Sequence, residues 1–221
     1  MFSFINFLFF SIKYTFRNYS FLRILQIYEA SNLNIEGKIL DLGGNNFSHN
    51  ISNFFNGKYE IQYADKFPKD ENTIKVDLEI DADLSQKYNV VCIMNILEHI
   101  KNYKNVINLC KISLNQNGLL IGSVPYMFKI HHSPNDYFRF SSQLIFEELE
   151  TFGFKNIMIK PMGYGVFSNF YSFIFDYTKK IPLLNIFLIT LSLLLDKLFF
   201  FVNKGYVIHY PIGYFFTANK V

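Results

Sequence analysis

Five short apolar runs follow one another along the first half of the chain, separated by polar turns and helical segments. They are KILDL, YEIQYAD, TIKVD, YNVVCIM and GLLIGSV, which begin at residues 38, 59, 73, 88 and 118. Runs of this length that alternate with helical segments are typical of βαβ units and a parallel sheet. Their continuous apolar character fits strands that are buried on both faces. The sequence therefore predicts an α/β fold with a doubly wound, mostly parallel sheet.

The segments on either side of these runs complete the predicted organisation. Residues 1–32 are rich in aromatic side chains and are predicted to be helical. Residues 33–221 are predicted to form one domain, in which a helix over 141–152 and a strand over 155–161 follow the fifth run. An apolar helical insertion over 163–205 then precedes a last strand or hairpin.

Charge and cysteine content exclude several functions. The net charge is +3, from 21 basic and 18 acidic residues without a long basic block, so nucleic acid is not an expected partner. Cys92 and Cys110 each lie in an apolar run, which predicts reduced, packed thiols in a cytosolic protein. The sequence has no C-x-x-C pair and no His/Cys cluster with zinc spacing, so no metal site is predicted.

Two apolar segments raise the question of a membrane. The N-terminal run lacks the basic start and cleavage site of a secretory signal, and it is shorter than the about 20 residues of a spanning helix. In segment 181–202, the charge-free stretch 181–195 is 15 residues long and ends at Asp196. A buried helix, a homo-oligomer contact or a helix in the membrane interface is favoured over a spanning helix. The expected location is cytoplasmic, with a peripheral position on the inner face of the membrane as an option.

Three of the apolar runs are followed or ended by an acid, at Asp41, Asp65 and Asp77. In a doubly wound sheet, ligands bind beyond the carboxyl ends of the strands, which is where these acids are predicted to lie. Gly43 and Gly44 follow the first acid and let the backbone approach a ligand closely. Asp65 comes 24 residues after Asp41, near the offset of about 20 residues expected for an acid that binds ribose hydroxyls.

The dinucleotide fingerprint is absent from this turn. G-x-G-x-x-G would require glycines at 43, 45 and 48, but the last two positions are Asn45 and Ser48. A ligand that has a ribose but no pyrophosphate therefore fits better than a dinucleotide.

The motifs KILDLGGNN, IQYADK, IKVDLE and YNVVCIMNILEHIKNY resemble, in order, those of the class I S-adenosylmethionine-dependent methyltransferases. The type 11 group, with LEHI after the fourth strand, is the most similar. The resemblance runs from about residue 37 to residue 160 and returns at the last strand. It implies a Rossmann-like methyltransferase fold with a sheet of the seven-stranded type, and S-adenosylmethionine as the cofactor.

The resemblance also implies a cofactor-binding set. Asp41 and Gly43 would line the methionine end, Asp65 would bind the ribose hydroxyls, and Asp77 with Leu78 would meet the adenine. Asn95 would lie under the sulfonium. The full expected set is Asp41, Gly43, Gly44, Asn45, Asp65, Lys66, Asp77, Leu78 and Asn95. The chain departs from the family pattern in two places, since Asn45 replaces a glycine and Asn89 replaces the acid that often opens the fourth strand.

The stretch KIHHSPNDYFRF, residues 129–140, concentrates polar groups beyond the fifth strand. Methyl transfer to a hydroxyl needs a base near neutral pH, which makes His132, His131 and Asp136 the expected catalytic residues. Arg139 is expected to bind an anionic group and Tyr137 to contact the acceptor. In the alternative interpretation, Arg139 pairs with Asp136 to brace the loop and the aromatic residues are packing.

Glu98 and His99, in NILEHI, have two interpretations of equal weight. They are either acceptor-binding residues near the reacting centre or polar residues of the first helical turn.

Three functional hypotheses follow. The first is O-methylation of a sugar, a glycan or a glycan precursor. The second is methylation of a membrane-soluble small molecule such as a quinone or a lipid, which the apolar segments favour equally. The third is a catalytically silent, cofactor-binding partner subunit, which Asn45 and Asn89 keep open.

Overall fold

The computed structural model describes residues 4–45, 50–80, 84, 86–132, 134–202 and 206–221. Within it the chain divides into two compact units. The first unit comprises the chain up to Tyr28, the short segment Tyr126–Lys129, and Pro161–Gly213. The second unit comprises Glu29–Pro125, Ile130–Lys160 and Tyr214–Val221.

The second unit contains most of a seven-stranded mixed sheet. Its strands are β1 (Asn34–Leu42), β2 (Asn56–Asp65), β3 (Ile74–Lys75), β4 (Tyr88–Met94), β5 (Leu114–Pro125), β6 (Phe154–Met162) and β7 (Gly213–Lys220). Their order across the sheet is β3-β2-β1-β4-β5-β7-β6. The four ladders from β3 to β5 are parallel. The doubly wound, mostly parallel sheet predicted from the apolar runs is confirmed.

The core of the sheet consists of the same β-branched and aliphatic residues that mark the runs in the sequence. Val91, Cys92 and Ile93 of β4 are fully buried, as is Leu120 of β5. Both cysteines are free and buried, and burial raises the pKa of each thiol. The prediction that both thiols are packed is confirmed.

Two helices flank the sheet of the second unit: α3 (Tyr103–Ser113) and α4 (Ser142–Thr151). The sequence predicts one helix from residue 96 onward, but a 3₁₀ turn (Leu97–His99) and a break precede α3. The break arises because the N–H groups of Lys101 and Asn102 donate to the carboxylate of Glu79, at 2.9 and 3.0 Å. Glu79 thus fixes the two residues that precede α3 from a distant loop.

The first unit is built from the helices α1 (Phe4–Phe16), α5 (Val166–Thr178) and α6 (Pro182–Val202), with most of α2 (Phe21–Ala30) and the short α7 (Tyr206–His209). The predicted N-terminal helical segment is thus two helices, separated where Asn18 takes a positive φ of 62°. The insertion 163–205 contains α5 and α6, and its residues 203–205 lie outside the described residues.

Helix α6 packs against both α1 and α5. At 21 residues it is long and apolar enough to cross a membrane, and it is the one described helix that meets this criterion. It runs on through Asp196, the residue at which the charge-free stretch of the sequence ends. Asp196 is fully buried because its carboxylate accepts hydrogen bonds from the N–H groups of Phe167 and Ser168, at 3.0 and 2.8 Å. The charge that ends the apolar run therefore caps α5.

Candidate active site

The chain turns sharply where β1 ends. Gly43 has a φ of 75°, and its N–H donates to the carbonyl of Ala64 at 2.7 Å. This left-handed conformation favours glycine, and a Cβ there would also meet the side chain of Ile96. The turn is therefore hydrogen-bonded to β2, and it lies at the carboxyl end of β1.

The Asp41 carboxylate lies directly beneath this turn and is buried. Ser52, in the 3₁₀ turn Ile51–Phe54, donates its hydroxyl to Asp41 at 2.5 Å. A Cβ on Gly44 would lie 2.7 Å from the carboxyl carbon of Asp41. Gly44 is thus needed for the close approach of the backbone to this acid, whereas its approach to a ligand stays a prediction. Ser52 was not predicted, since it lies in a polar run without a recognisable motif.

Asp65 and Asp77 continue the row of acids across the neighbouring strands. Asp65 ends β2 and faces Lys75 of β3, and one of its oxygens accepts a hydrogen bond from the N–H of Phe67 at 2.7 Å. Asp77 lies just beyond β3 and forms an ion pair with Lys66, at 2.8 Å. The hydrogen bond from Lys66 lowers the pKa of Asp77, and the same contact raises the pKa of Lys66. The structure therefore brings the three acids to one edge of the sheet.

The other expected cofactor residues have defined local roles. Leu78 is part of the hydrophobic core of the second unit. Asn45 is buried, and its side-chain oxygen accepts a hydrogen bond from the N–H of Lys69 at 3.2 Å, which holds the turn after β1 to the loop after β2. Asn89 lies at the opposite end of the sheet, where its side chain accepts from the N–H of Lys38 at 2.9 Å. Its departure from the family pattern therefore lies away from the row of acids.

Asn95 has a strained backbone at the end of β4. Its φ is 57°, a conformation that asparagine adopts more readily than most other residues. Its N–H donates to the carbonyl of Ser123 on β5 at 2.8 Å. Because β4 pairs with β1, the strained residue and the glycine turn follow neighbouring strands, where the strand order reverses. Strain at such a switch point is typical of functional sites.

Two adjacent side chains and one that is distant in sequence meet beside this point. Glu98 and His99 are buried in the 3₁₀ turn after β4, and His131 comes from the loop after β5. Their candidate ligand atoms all lie within 4.8 Å of one another. The Nε2 atom of His99 is 3.7 Å from a Glu98 oxygen, and the two imidazole rings pack edge to face with centroids 4.8 Å apart. The structure thus places Glu98 and His99 in a polar cluster.

Asp136 and Arg139 brace the loop that carries His131. Two guanidinium nitrogens of Arg139 donate to the two oxygens of Asp136, the second at 2.9 Å. Asp136 also accepts from the backbone N–H of His131 at 2.8 Å. The hydrogen bond from Arg139 holds the pKa of Asp136 well below its usual range. This is the arrangement of the alternative interpretation, in which the pair braces the loop.

The remaining predicted residues of the loop are more exposed. The Tyr137 side chain is 45% exposed, whereas the adjacent Phe138 packs on Tyr103 with ring centroids 5.2 Å apart. His132 is exposed and lies outside the cluster of Glu98, His99 and His131. Of the two adjacent histidines, His131 is thus the one that the fold brings to the other polar groups.

No protein-family model and no curated protein sequence matches the chain. Solved structures do match. An S-adenosylmethionine-dependent methyltransferase from Thermotoga maritima, described as a possible histamine N-methyltransferase, superimposes with a TM-score of 0.57 at 10% identity, over 97% of this chain and 98% of its own. Phosphoethanolamine N-methyltransferase 2 from Haemonchus contortus, solved with S-adenosylmethionine, gives a TM-score of 0.53 at 14% identity.

The chain has the fold of the S-adenosylmethionine-dependent methyltransferases. The region that superimposes covers 90% of this chain but only 52% of the Haemonchus enzyme, so the chain spans about half of that enzyme's length. This chain also superimposes on a [4+2]-cyclase, with a TM-score of 0.50 at 12% identity. The fold alone therefore does not determine which reaction is catalysed. Assignment to the type 11 group stays a prediction.

Proposed function

We propose that the chain is an enzyme that transfers a methyl group from S-adenosylmethionine to an oxygen of a sugar in a glycan or glycan precursor. The observation that carries the proposal is the row of Asp41, Asp65 and Asp77 at the carboxyl edge of a methyltransferase fold. The glycine turn and strained Asn95 lie at the switch point of the same edge. Ligand sites of doubly wound folds lie at this place.

The residues present fit S-adenosylmethionine better than a dinucleotide. Asp65 ends the strand next to the glycine turn, where a carboxylate accepts from two adjacent ribose hydroxyls. Asp41 offers a buried negative charge for the amino group of the methionine end. Asp77 with Lys66 would meet the adenine side. When bound, S-adenosylmethionine supplies a methyl group that is activated by the positive sulfonium.

The polar cluster is assigned to the acceptor. Since the pKa of Asp136 is lowered by Arg139, this carboxylate stays ionised and orients the loop, and it is a weak base. His131 is better suited to handle the proton that leaves the acceptor hydroxyl, because imidazole titrates near neutral pH. Glu98 and His99, beside it, would orient the hydroxyl.

The acceptor class is inferred from the first unit. Apolar side chains of its helices are exposed, including Phe9 of α1, Phe170 of α5, and Leu183 and Val202 of α6, the last two at 81% and 84%. The ranges of this unit hold eight basic and two acidic residues, whereas those of the second unit hold 13 basic and 16 acidic residues. An apolar, positively charged surface favours binding to an anionic bilayer. We therefore propose a cytoplasmic, peripheral protein on the inner face of the membrane. This surface suits any membrane-bound acceptor; a lipid-linked glycan precursor is the one we propose, and a quinone or lipid is the alternative.

Methyl transfer can be measured directly. The full chain and S-adenosylmethionine with a labelled methyl group are incubated with vesicles that contain a polyprenyl-phosphate-linked oligosaccharide, the same oligosaccharide without lipid, or a ubiquinone precursor. We expect label on the lipid-linked sugar. Label on the quinone precursor alone would show that the acceptor is not a sugar but a membrane-soluble small molecule, as in the second hypothesis. Binding of S-adenosylhomocysteine without transfer to any of the three would favour the silent partner subunit.

Membrane attachment has its own test, flotation with phosphatidylcholine vesicles that do or do not contain phosphatidylglycerol. We expect the chain to float only with the anionic vesicles. Leu183→Glu should abolish flotation, because this exposed side chain would enter the interface. Thr151→Glu, on an exposed position of the second unit, is the matched control and should float like the wild type. A chain that stays in solution as a dimer dissociated by Leu183→Glu would instead show that segment 181–202 is an oligomer contact.

A further inference from the structure

The cluster of Glu98, His99 and His131 has the composition of a metal site. It combines one carboxylate with two imidazoles, and its candidate ligand atoms lie within 4.8 Å of one another. Ligands around one divalent ion lie about 2.0–2.2 Å from it, so small side-chain rotations would bring these three atoms to a common centre. The sequence did not predict this, because His131 lies 32 residues beyond His99 and the nearby loop has no second acid cluster.

We propose that Glu98, His99 and His131 bind one divalent transition-metal ion, of the class of Mn²⁺, Co²⁺ or Zn²⁺. Two imidazoles favour these ions over Mg²⁺ and Ca²⁺, which prefer sites made of oxygen ligands alone. The Glu98 side chain is 0% exposed, so its charge lies away from bulk water, where a cation is a strongly favourable neighbour.

The surrounding residues hold both histidines, His99 through its ring and His131 through its backbone N–H. The Nδ1 atom of His99 lies 2.5 Å from the carbonyl oxygen of Asn135. A carbonyl can only accept, so Nδ1 donates to it, and Nε2, on the side of Glu98, is the nitrogen left to bind an ion. The backbone of His131 is held by Asp136, which is itself held by Arg139. This pattern of a metal ligand fixed by a carbonyl or a carboxylate is common in metal sites.

The proposed ion would lie beyond the carboxyl ends of β4 and β5, next to Asn95. With the ion bound, His131 would serve as a ligand in place of the base role given to it above. The ion would lower the pKa of an acceptor hydroxyl bound there, and the proton would pass to solvent. The new oxygen–methyl bond would then form as the sulfur–methyl bond breaks. Only this consequence rests on the proposed function; metal binding itself does not.

The test is a titration of the full chain, freed of metal by dialysis against chelator, with Co²⁺ in the absence of S-adenosylmethionine. Binding is followed by calorimetry and by the visible absorption of the bound ion. We expect one ion per chain. His131→Ala, which truncates a partly exposed side chain, should weaken binding at least about tenfold, since loss of even an outer partner costs about 10- to 100-fold. Glu98→Gln should do the same.

His132→Ala is the matched control, because it removes the adjacent imidazole, which lies outside the cluster. It should bind Co²⁺ like the wild type. Binding weakened equally by His132→Ala and His131→Ala would overturn the assignment, and so would a wild-type chain without stoichiometric Co²⁺. Calorimetry with S-adenosylhomocysteine on the same samples separates this result from the proposed function. Variants that keep this binding are folded. A chain that binds S-adenosylhomocysteine but takes up no Co²⁺ would refute the metal site and leave the proposed function standing.

Discussion

Asp136→Asn is the substitution that most directly tests how the loop after β5 is held. The carboxylate accepts two hydrogen bonds from Arg139 and one from the N–H of His131, and its side chain is only 3% exposed. Breaking a buried ion pair costs about 3–5 kcal/mol, but Arg139 is 24% exposed and can be partly rehydrated. We therefore expect the free energy of unfolding to fall by about 2–3 kcal/mol.

Urea unfolding followed by far-ultraviolet circular dichroism measures this loss. Lys160 and Glu29 form a more exposed ion pair at 2.7 Å, and Glu29→Gln is the matched control, with an expected loss of no more than about 1 kcal/mol. A loss for Asp136→Asn no greater than that of the control would refute the bracing role. So would a double-mutant cycle with Arg139→Gln that gives no coupling.

The same carboxylate predicts an acid dependence. Its pKa in the folded state lies well below the ordinary value of about 3.9, so it stabilises the fold above that value, and the contribution is lost as the pH falls further. Between pH 4 and 2 the wild type should lose more unfolding free energy than Asp136→Asn, which has no titrating group there. Parallel losses for the two proteins over this range would contradict the assignment.

Substitutions at three further positions test the edge of the sheet. Asp65→Ala should weaken S-adenosylhomocysteine binding in calorimetry by about 10- to 100-fold, through the loss of hydrogen bonds to a charged acceptor; an unchanged affinity would place the ribose elsewhere. Asn95→Gly should leave the thermal midpoint unchanged or raise it, whereas Asn95→Ala should lower it, because φ is 57°; equal midpoints would argue against backbone strain. Gly44→Ala should lower cofactor affinity by displacing Asp41, whose carboxyl carbon would lie 2.7 Å from the new Cβ; unaltered affinity would exclude that displacement.

The sheet and its row of acids could be predicted because both depend on local patterns. Continuous apolar runs mark buried parallel strands, and an acid near the end of three of these runs then lies at the carboxyl edge without further assumption. Asp41, Asp65 and Asp77 were found in this way, and the glycine turn between β1 and β2 follows from the positive φ that Gly43 adopts.

What could not be predicted depends on contacts between distant residues. The helix expected from residue 96 is interrupted because Glu79 accepts from the N–H groups of Lys101 and Asn102, a contact across more than 20 residues. Likewise, the loop after β5 brings His131, and not His132, to Glu98 and His99. Periodicity carries no information about which of two adjacent imidazoles turns inward.

The central claim is that the row of acids and the glycine turn bind a nucleoside that has no pyrophosphate. Calorimetric titration of the full chain with S-adenosylhomocysteine, and separately with NAD⁺, tests it most directly. We predict binding of one S-adenosylhomocysteine per chain and no measurable heat with NAD⁺. Tighter binding of NAD⁺, or no binding of S-adenosylhomocysteine at all, would contradict the account.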